Sequence, residues 1–154
     1  MNTKELIIYF EKKYNKKINK FNYTEWYEIS EFKYLTEKFI EKYENKVDWY
    51  WISIYQNLSE EFIEKYKNKI DWECISLYQK LTEKFIEKYE NKVDWYWISI
   101  YQNLSGEFIH KYKKKIYFNY LSKQNKINYL QYKVKNNIIS NEDYLKELLK
   151  LKSK

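Results

Sequence analysis

Nucleophilic catalysis needs a hydroxyl or thiol beside a base, and this chain of 154 residues offers one histidine, His110, and one cysteine, Cys74. Five serines, Ser30, Ser53, Ser76, Ser99 and Ser122, recur at a fixed interval of 23 residues. One imidazole cannot serve five hydroxyls, and no second base stands near any copy. The serine column therefore reads as small residues that let two helices approach closely. The same shortage argues against a Ser/His/Asp triad and a histidine-based metal centre, so neither metal nor cofactor is expected. His110 occupies the position of Glu41, Glu64 and Glu87 in the other copies and is expected on a helix surface. Cys74 cannot form an internal disulfide and reads as a free thiol in a reducing compartment. With one glycine, Gly106, a glycine-rich phosphate loop is excluded. The carboxylates alternate with lysines at helical spacing, the ordinary pattern of a solvated face. We expect a non-enzyme.

What remains is binding chemistry, and two sets of residues could supply it. In the first, Tyr50 and Tyr96 align with Tyr27 and Glu73; Trp51 and Trp97 align with Glu28, Cys74 and Tyr120; Ile54, Leu77 and Ile100 align with Glu31 and Lys123. Positions that accept a charge in some copies are not deeply buried, so Tyr50, Trp51, Ile54, Tyr96, Trp97 and Ile100 are expected to anchor a protein partner. The competing reading makes Trp51 and Trp97 seals between repeats. The second set is basic. Residues 35–57, 58–80 and 81–103 each carry one more acid than lysine, whereas residues 104–126 hold six lysines against one glutamate, and residues 127–154 six against three acids. Lys111, Lys113, Lys114, Lys115, Lys123 and Lys126, interleaved with Tyr117 and Tyr120, could grip phosphates while the rings stack on bases. The competing reading is a solvated lysine-rich cap. All of the net charge of +7 comes from lysine, and without arginine, specific major-groove readout is disfavoured. Lys, Asn, Ile and Tyr also have AT-rich codons, which gives the composition a second explanation.

The elements that position these residues are dictated by repetition. LTEKFIEKYENKVDWYWISIYQN, residues 35–57, returns letter for letter at residues 81–103, with a variant between them and a looser copy at residues 104–126. A period of 23 residues marks a stacked array. Thr36 or Ser59 before a glutamate-rich turn predicts a first helix over residues 37–45, whose Phe39, Ile40, Tyr43 and Val47 share one side. Asp48 is placed to cap a second helix, in which Trp49, Ile52 and Tyr55 continue an apolar side toward Leu58. Neither helix is stable alone, so stacking must supply the stability. The expected fold is all-α, an α-solenoid of short helical hairpins forming a single domain over residues 1–154. Residues 1–34 are a worn copy with about six extra residues near Asn19 to Thr24, where Ile18 matches Val47. Residues 127–154 form a C-terminal cap, in which the pattern fades to Asn137 and Ser140 with Asp143 opens a last helix. Invariant aromatics, among them Trp26, Trp49, Trp72, Trp95 and Phe118, are expected in the core. No stretch approaches the length of a membrane span, and the start lacks a signal pattern, so no membrane contact and a cytoplasmic setting are expected.

The motif L-[ST]-E-[EK]-F-I-E-K-Y-[EK]-N-K-[IV]-D-W-x-x-I-S-x-Y-Q resembles the short tandem repeats of giant-virus and of phage or mobile-element proteins. It covers residues 35–126, loosely in the last copy. The resemblance implies an origin more than an activity. By analogy with small phage and mobile-element proteins that lack catalytic groups, such as anti-CRISPR proteins, a stoichiometric antagonist is expected that binds a host defence protein or ribonucleoprotein complex inside a host cell.

Overall fold

The computed structural model describes residues 1–152, so Ser153 and Lys154 of the expected C-terminal cap lie outside the described residues. The fold is all-α, with eleven regularly spaced helices, two 3₁₀ turns and no strand among the described residues. Contacts gather in two compact units, Met1–Gln79 and Lys80–Lys154.

The first unit contains α1 (Thr3–Tyr14), α2 (Tyr23–Ser30), α3 (Glu37–Lys42), α4 (Trp49–Tyr55), α5 (Glu60–Lys65) and α6 (Trp72–Tyr78). The caps fall where the sequence places them. Thr36 and Ser59 accept the N–H groups of Phe39 and Phe62, Asp48 accepts those of Tyr50 and Trp51, and Asp71 accepts that of Cys74. The first helix of each repeat is shorter than its periodicity suggests: α3 ends at Lys42 and the chain leaves as tight turns. A tryptophan explains the early end, because the indole Nε1 of Trp49 donates to the Glu44 carbonyl at 3.0 Å, and that of Trp72 to the Lys67 carbonyl at 3.0 Å. Carbonyls freed by the turn thus gain a partner from the next helix.

Two polar columns fasten neighbouring repeats. Ser53 Oγ donates to the Trp49 carbonyl and accepts the backbone N–H of Asp71, 3.0 Å away in the next copy; Ser30 does the same for Asp48 at 2.8 Å. The serine column is therefore a hydrogen-bonded fastener as well as a small residue. The glutamines are buried beside it. Gln79 accepts the Leu58 N–H at 3.1 Å and donates to the carbonyls of Ser53 and Gln56 at 3.0 and 2.8 Å, which satisfies three buried backbone groups. Around them Ile40, Ile52, Ile63 and Ile75 are fully buried, each contributing about 1.5–3 kcal/mol of apolar transfer.

The extra residues of the N-terminal copy fold as the 3₁₀ turn Ile18–Lys20 and an added first turn of α2, held by a capping box between Asn22 and Glu25. Phe21, rather than the expected Ile18, is the buried residue ahead of that helix, with its ring between Tyr14 and Trp26.

The second unit contains α7 (Glu83–Lys88), α8 (Trp95–Tyr101), α9 (Gly106–Lys111), α10 (Lys123–Lys135) and α11 (Asn141–Lys152). Its last repeat has no second α-helix. Tyr117 stands where Asp71 caps α6, and without a capping side chain only the 3₁₀ turn Phe118–Tyr120 forms. Phe118, expected in the core, is exposed. Ser122 is not an interior helix residue but the N-cap of α10, accepting the Asn125 N–H at 3.1 Å. That helix runs through the segment where the repeat pattern fades. Asn125 does the work of the glutamine column, accepting the Leu104 N–H at 3.0 Å and donating to the Gln102 carbonyl at 2.8 Å.

Gly106 replaces the glutamate of the other copies, and a Cβ there would lie 2.2 Å from the Asn128 carbonyl oxygen and 2.4 Å from Tyr132 Cβ. This glycine lets α10 settle on α9. The same packing covers His110, which is half-buried beside the rings of Tyr129 and Tyr132 rather than on the surface, because α10 takes the place of a further repeat. Ser140 caps the last helix through the Asp143 N–H, as its spacing predicts. Among the described residues no helix is long and apolar enough to cross a membrane.

Candidate functional site

The first helices of the repeats present a charged face. Within the first unit Lys65 pairs with Glu41, Lys69 lies 3.5 Å from Glu44, and Glu37 accepts the Ser59 N–H at 2.6 Å. Within the second, Lys111 pairs with Glu87, Lys115 lies 3.2 Å from Glu90, and Tyr112 donates to Glu87 at 3.1 Å. These partners belong to successive repeats; pairing along one helix, as the spacing suggested, occurs instead in α11, where Lys146 lies 2.7 Å from Glu142 and Lys150 2.8 Å from Glu147. The hydrogen bond from Lys111, then that from Tyr112, hold the Glu87 carboxyl below its ordinary value, and the bond to Glu41 raises the Lys65 ammonium above its own.

This ladder divides the basic set. Lys111 and Lys115 are already paired, and Lys126 donates to the Asn119 carbonyl at 3.2 Å. Lys113, Lys114 and Lys123 are exposed.

The second helices present an aromatic face, and α4 carries no charged residue. In the first unit the half-buried Trp51 is the centre of a four-ring cluster. Tyr27 and Tyr50 meet it edge-on at 5.5 and 5.1 Å, and Tyr55 lies nearly parallel at 5.5 Å. Tyr50 is 50% exposed and Tyr55 41%, while Ile54 is half-buried beside them. Trp51 is thus neither a free anchor nor a sealed joint; it supports the tyrosines that face outward.

In the second unit the same letters meet a different neighbour. Tyr96 is half-buried, with Tyr117 and Tyr120 edge-on at 5.5 and 5.0 Å. Trp97 packs against Tyr96 at 4.8 Å and Tyr101 at 5.9 Å, and Ile100 is half-buried. Two of the nucleic-acid candidates, Tyr117 and Tyr120, therefore join the protein-binding candidate Tyr96.

The residues missed by the pattern are Tyr55, Tyr78 and Tyr101. All three are exposed, although they fit an apolar stripe toward the next repeat. The available signal was a phenol kept in every central copy at a position one turn from the already open Trp51 column.

Of the groups with catalytic potential, the thiol and the serine hydroxyls are otherwise engaged. Burial, followed by the hydrogen bond and charge of Asp71, pushes the Cys74 thiol up to about 12, far from the thiolate a nucleophile needs. Ser30 and Ser53 use both donor and acceptor on backbone. The buried Nδ1 of His110 has no hydrogen-bond partner and faces tyrosine rings. Among the described residues no three His, Cys, Asp or Glu side chains gather as a metal site. No protein-family model, curated protein or solved structure matches the chain.

Proposed function

We propose that the chain is a non-catalytic binding protein that docks a weakly charged protein surface on the aromatic face of its second helices. One observation carries this reading: Tyr50 and Tyr55 keep about half of their surface open on a charge-free helix, propped by Trp51. Aromatic area of this kind is costly to leave in water and is the usual energetic centre of an interface. Tyrosine adds a phenol that hydrogen-bonds at the rim, and its rigid ring loses little entropy on binding. Together with the resemblance to phage and mobile-element repeats, this suggests a stoichiometric antagonist of a host defence complex.

A photo-crosslinking amino acid tests the reading inside cells. Placed at Tyr55 it gives a discrete protein adduct, and placed at Lys38, on the charged face, it does not. The Tyr50→Ala/Tyr55→Ala pair then weakens binding of the adduct partner by about tenfold or more. Equal crosslinking from both faces, or partner binding unchanged in the alanine pair, overturns the proposal.

A further inference from the structure

In the second unit, the turn after α7 and the turn after α9 enclose an open cleft of about 550 Å³, lined by Glu90, Asn91, Trp95, Lys114, Lys115 and Tyr117. The first unit contains the equivalent joint, with an identical first wall of Glu44, Asn45 and Trp49. Its second wall is Asn68, Lys69 and Asp71, so the cleft gains two positive increments: a lysine replaces asparagine, and a neutral tyrosine replaces aspartate.

The exchange at Tyr117 carries a structural cost. Asp71 accepts the Cys74 N–H at 2.8 Å and starts α6, whereas the chain after Tyr117 makes only a 3₁₀ turn. Stacking is nonetheless kept, because the Tyr117 N–H still donates to Ser99 Oγ at 3.0 Å. A helix cap has been surrendered without loss of the repeat fastener, and broken local rules concentrate where a surface has work to do.

The cleft's charges sort clearly. Lys115 is occupied by Glu90 at 3.2 Å and lies over the Trp95 ring at 5.2 Å, as Lys69 does with Glu44 and Trp49. The pair is close to neutral. Lys114 is the new, uncompensated cation, with Lys113 beside it, and Tyr117 is an exposed ring on the same wall. Asn91 supplies an amide that can both donate and accept.

We propose that this cleft binds a nucleoside phosphate, with Lys114 on the phosphate, Tyr117 stacked on the base and Asn91 at the base edge. Lysine serves here as a point charge, which suits phosphate without requiring arginine's fork. The site is independent of the aromatic face around Trp51. The same chemistry is offered by a free nucleotide and by a single strand.

The test is a fluorescence-anisotropy titration of the full chain with a short labelled RNA strand of mixed sequence, at low and at physiological salt. The variant is Lys114→Asn/Tyr117→Asp, which installs the residues of the equivalent joint and so suits the fold. Wild type binds at micromolar concentration, and the variant binds about tenfold more weakly with a salt slope lower by about one. Tyr50→Ala/Tyr55→Ala leaves strand binding unchanged. Competition by ATP assigns the site to free nucleotides; competition by unlabelled strand but not by ATP assigns it to a strand. Inorganic phosphate competing as well as ATP, no strand binding by wild type, or equal binding by the variant overturns the proposal.

Discussion

Residues 35–57 and 81–103 are the same sequence facing different neighbours, one joint in each unit. The contacts that are kept define what stacking requires. Trp49 lies 6.3 Å from Phe62 and Trp95 lies 6.2 Å from Phe108; Ser53 and Ser99 each accept a backbone N–H at 3.0 Å; Glu41 and Glu87 each hold a lysine of the following copy. The contacts that change lie in the next helix along. The first joint leads into α6, while the second leads into a 3₁₀ turn and the longer α10. Identical Tyr–Trp pairs consequently become different surfaces: Tyr50 is open, and Tyr96 is covered by Tyr117 and Tyr120. Stacking and surface chemistry are separately encoded, on different columns of one repeat.

The comparison breaks most severely at the buried amides. Gln79→Ala strips three backbone groups of their partners at once and is expected to destabilise the first unit by about 4 kcal/mol in urea unfolding. Asn125→Ala, at the corresponding place in the second unit, removes two such bonds and should cost less. An equal or larger loss at Asn125 would show that the two columns are not equivalent.

Gly106→Ala comes next, at about 3 kcal/mol, because the new methyl collides with backbone of α10. Hydrogen exchange should rise in α9 and α10 while the amides of α4 stay protected. Protection retained throughout would mean that α10 does not rest on this glycine.

Tyr117→Asp works in the opposite direction. It restores the carboxylate that caps α6 in the first unit and should stabilise the second by about 1 kcal/mol, with a small gain of helical circular dichroism. A loss of stability would show that the tyrosine ring on Tyr96 outweighs the cap.

The smallest effect is that of the charged ladder, whose members are exposed and screened. In the folded chain Glu87 titrates below its ordinary value, while in the unfolded chain it titrates at that ordinary value. Its contribution is thus complete above the unfolded value and is lost as pH falls through the lowered folded one. Stability measured from pH about 5 downward should decline less steeply in Glu87→Gln than in wild type. Superimposable curves would assign Glu87 no linkage.

The repeat was legible because its caps are local: Thr36, Asp48, Ser59 and Asp71 each bond an N–H within three residues. The end of α3 was not, since the group that takes the Glu44 carbonyl comes from Trp49, whose reach depends on the turn between them. Nor was α10, which runs through the stretch where the repeat pattern fades and is tied to the repeat before it by the buried Asn125, bridging to Gln102 and Leu104. Of the site, the open Tyr50 and the propping Trp51 could be read from positions that tolerate charge. Tyr55 had only its place one turn from the Trp51 column to mark it, because constancy in a repeat looks the same whether a side chain is held by the core or by a surface.

The hydrogen bonds of Ser53 and Gln79 reach from one copy to its immediate neighbour and no further. The molecule therefore has the logic of a chain-growth polymer with a terminating monomer. A two-copy block can be gained or lost by recombination between identical stretches, each new joint supplying its own fasteners, until Gly106 admits α10 and growth stops. Length, and with it the number of aromatic platforms, becomes a heritable variable that changes in whole steps without redesign of either end.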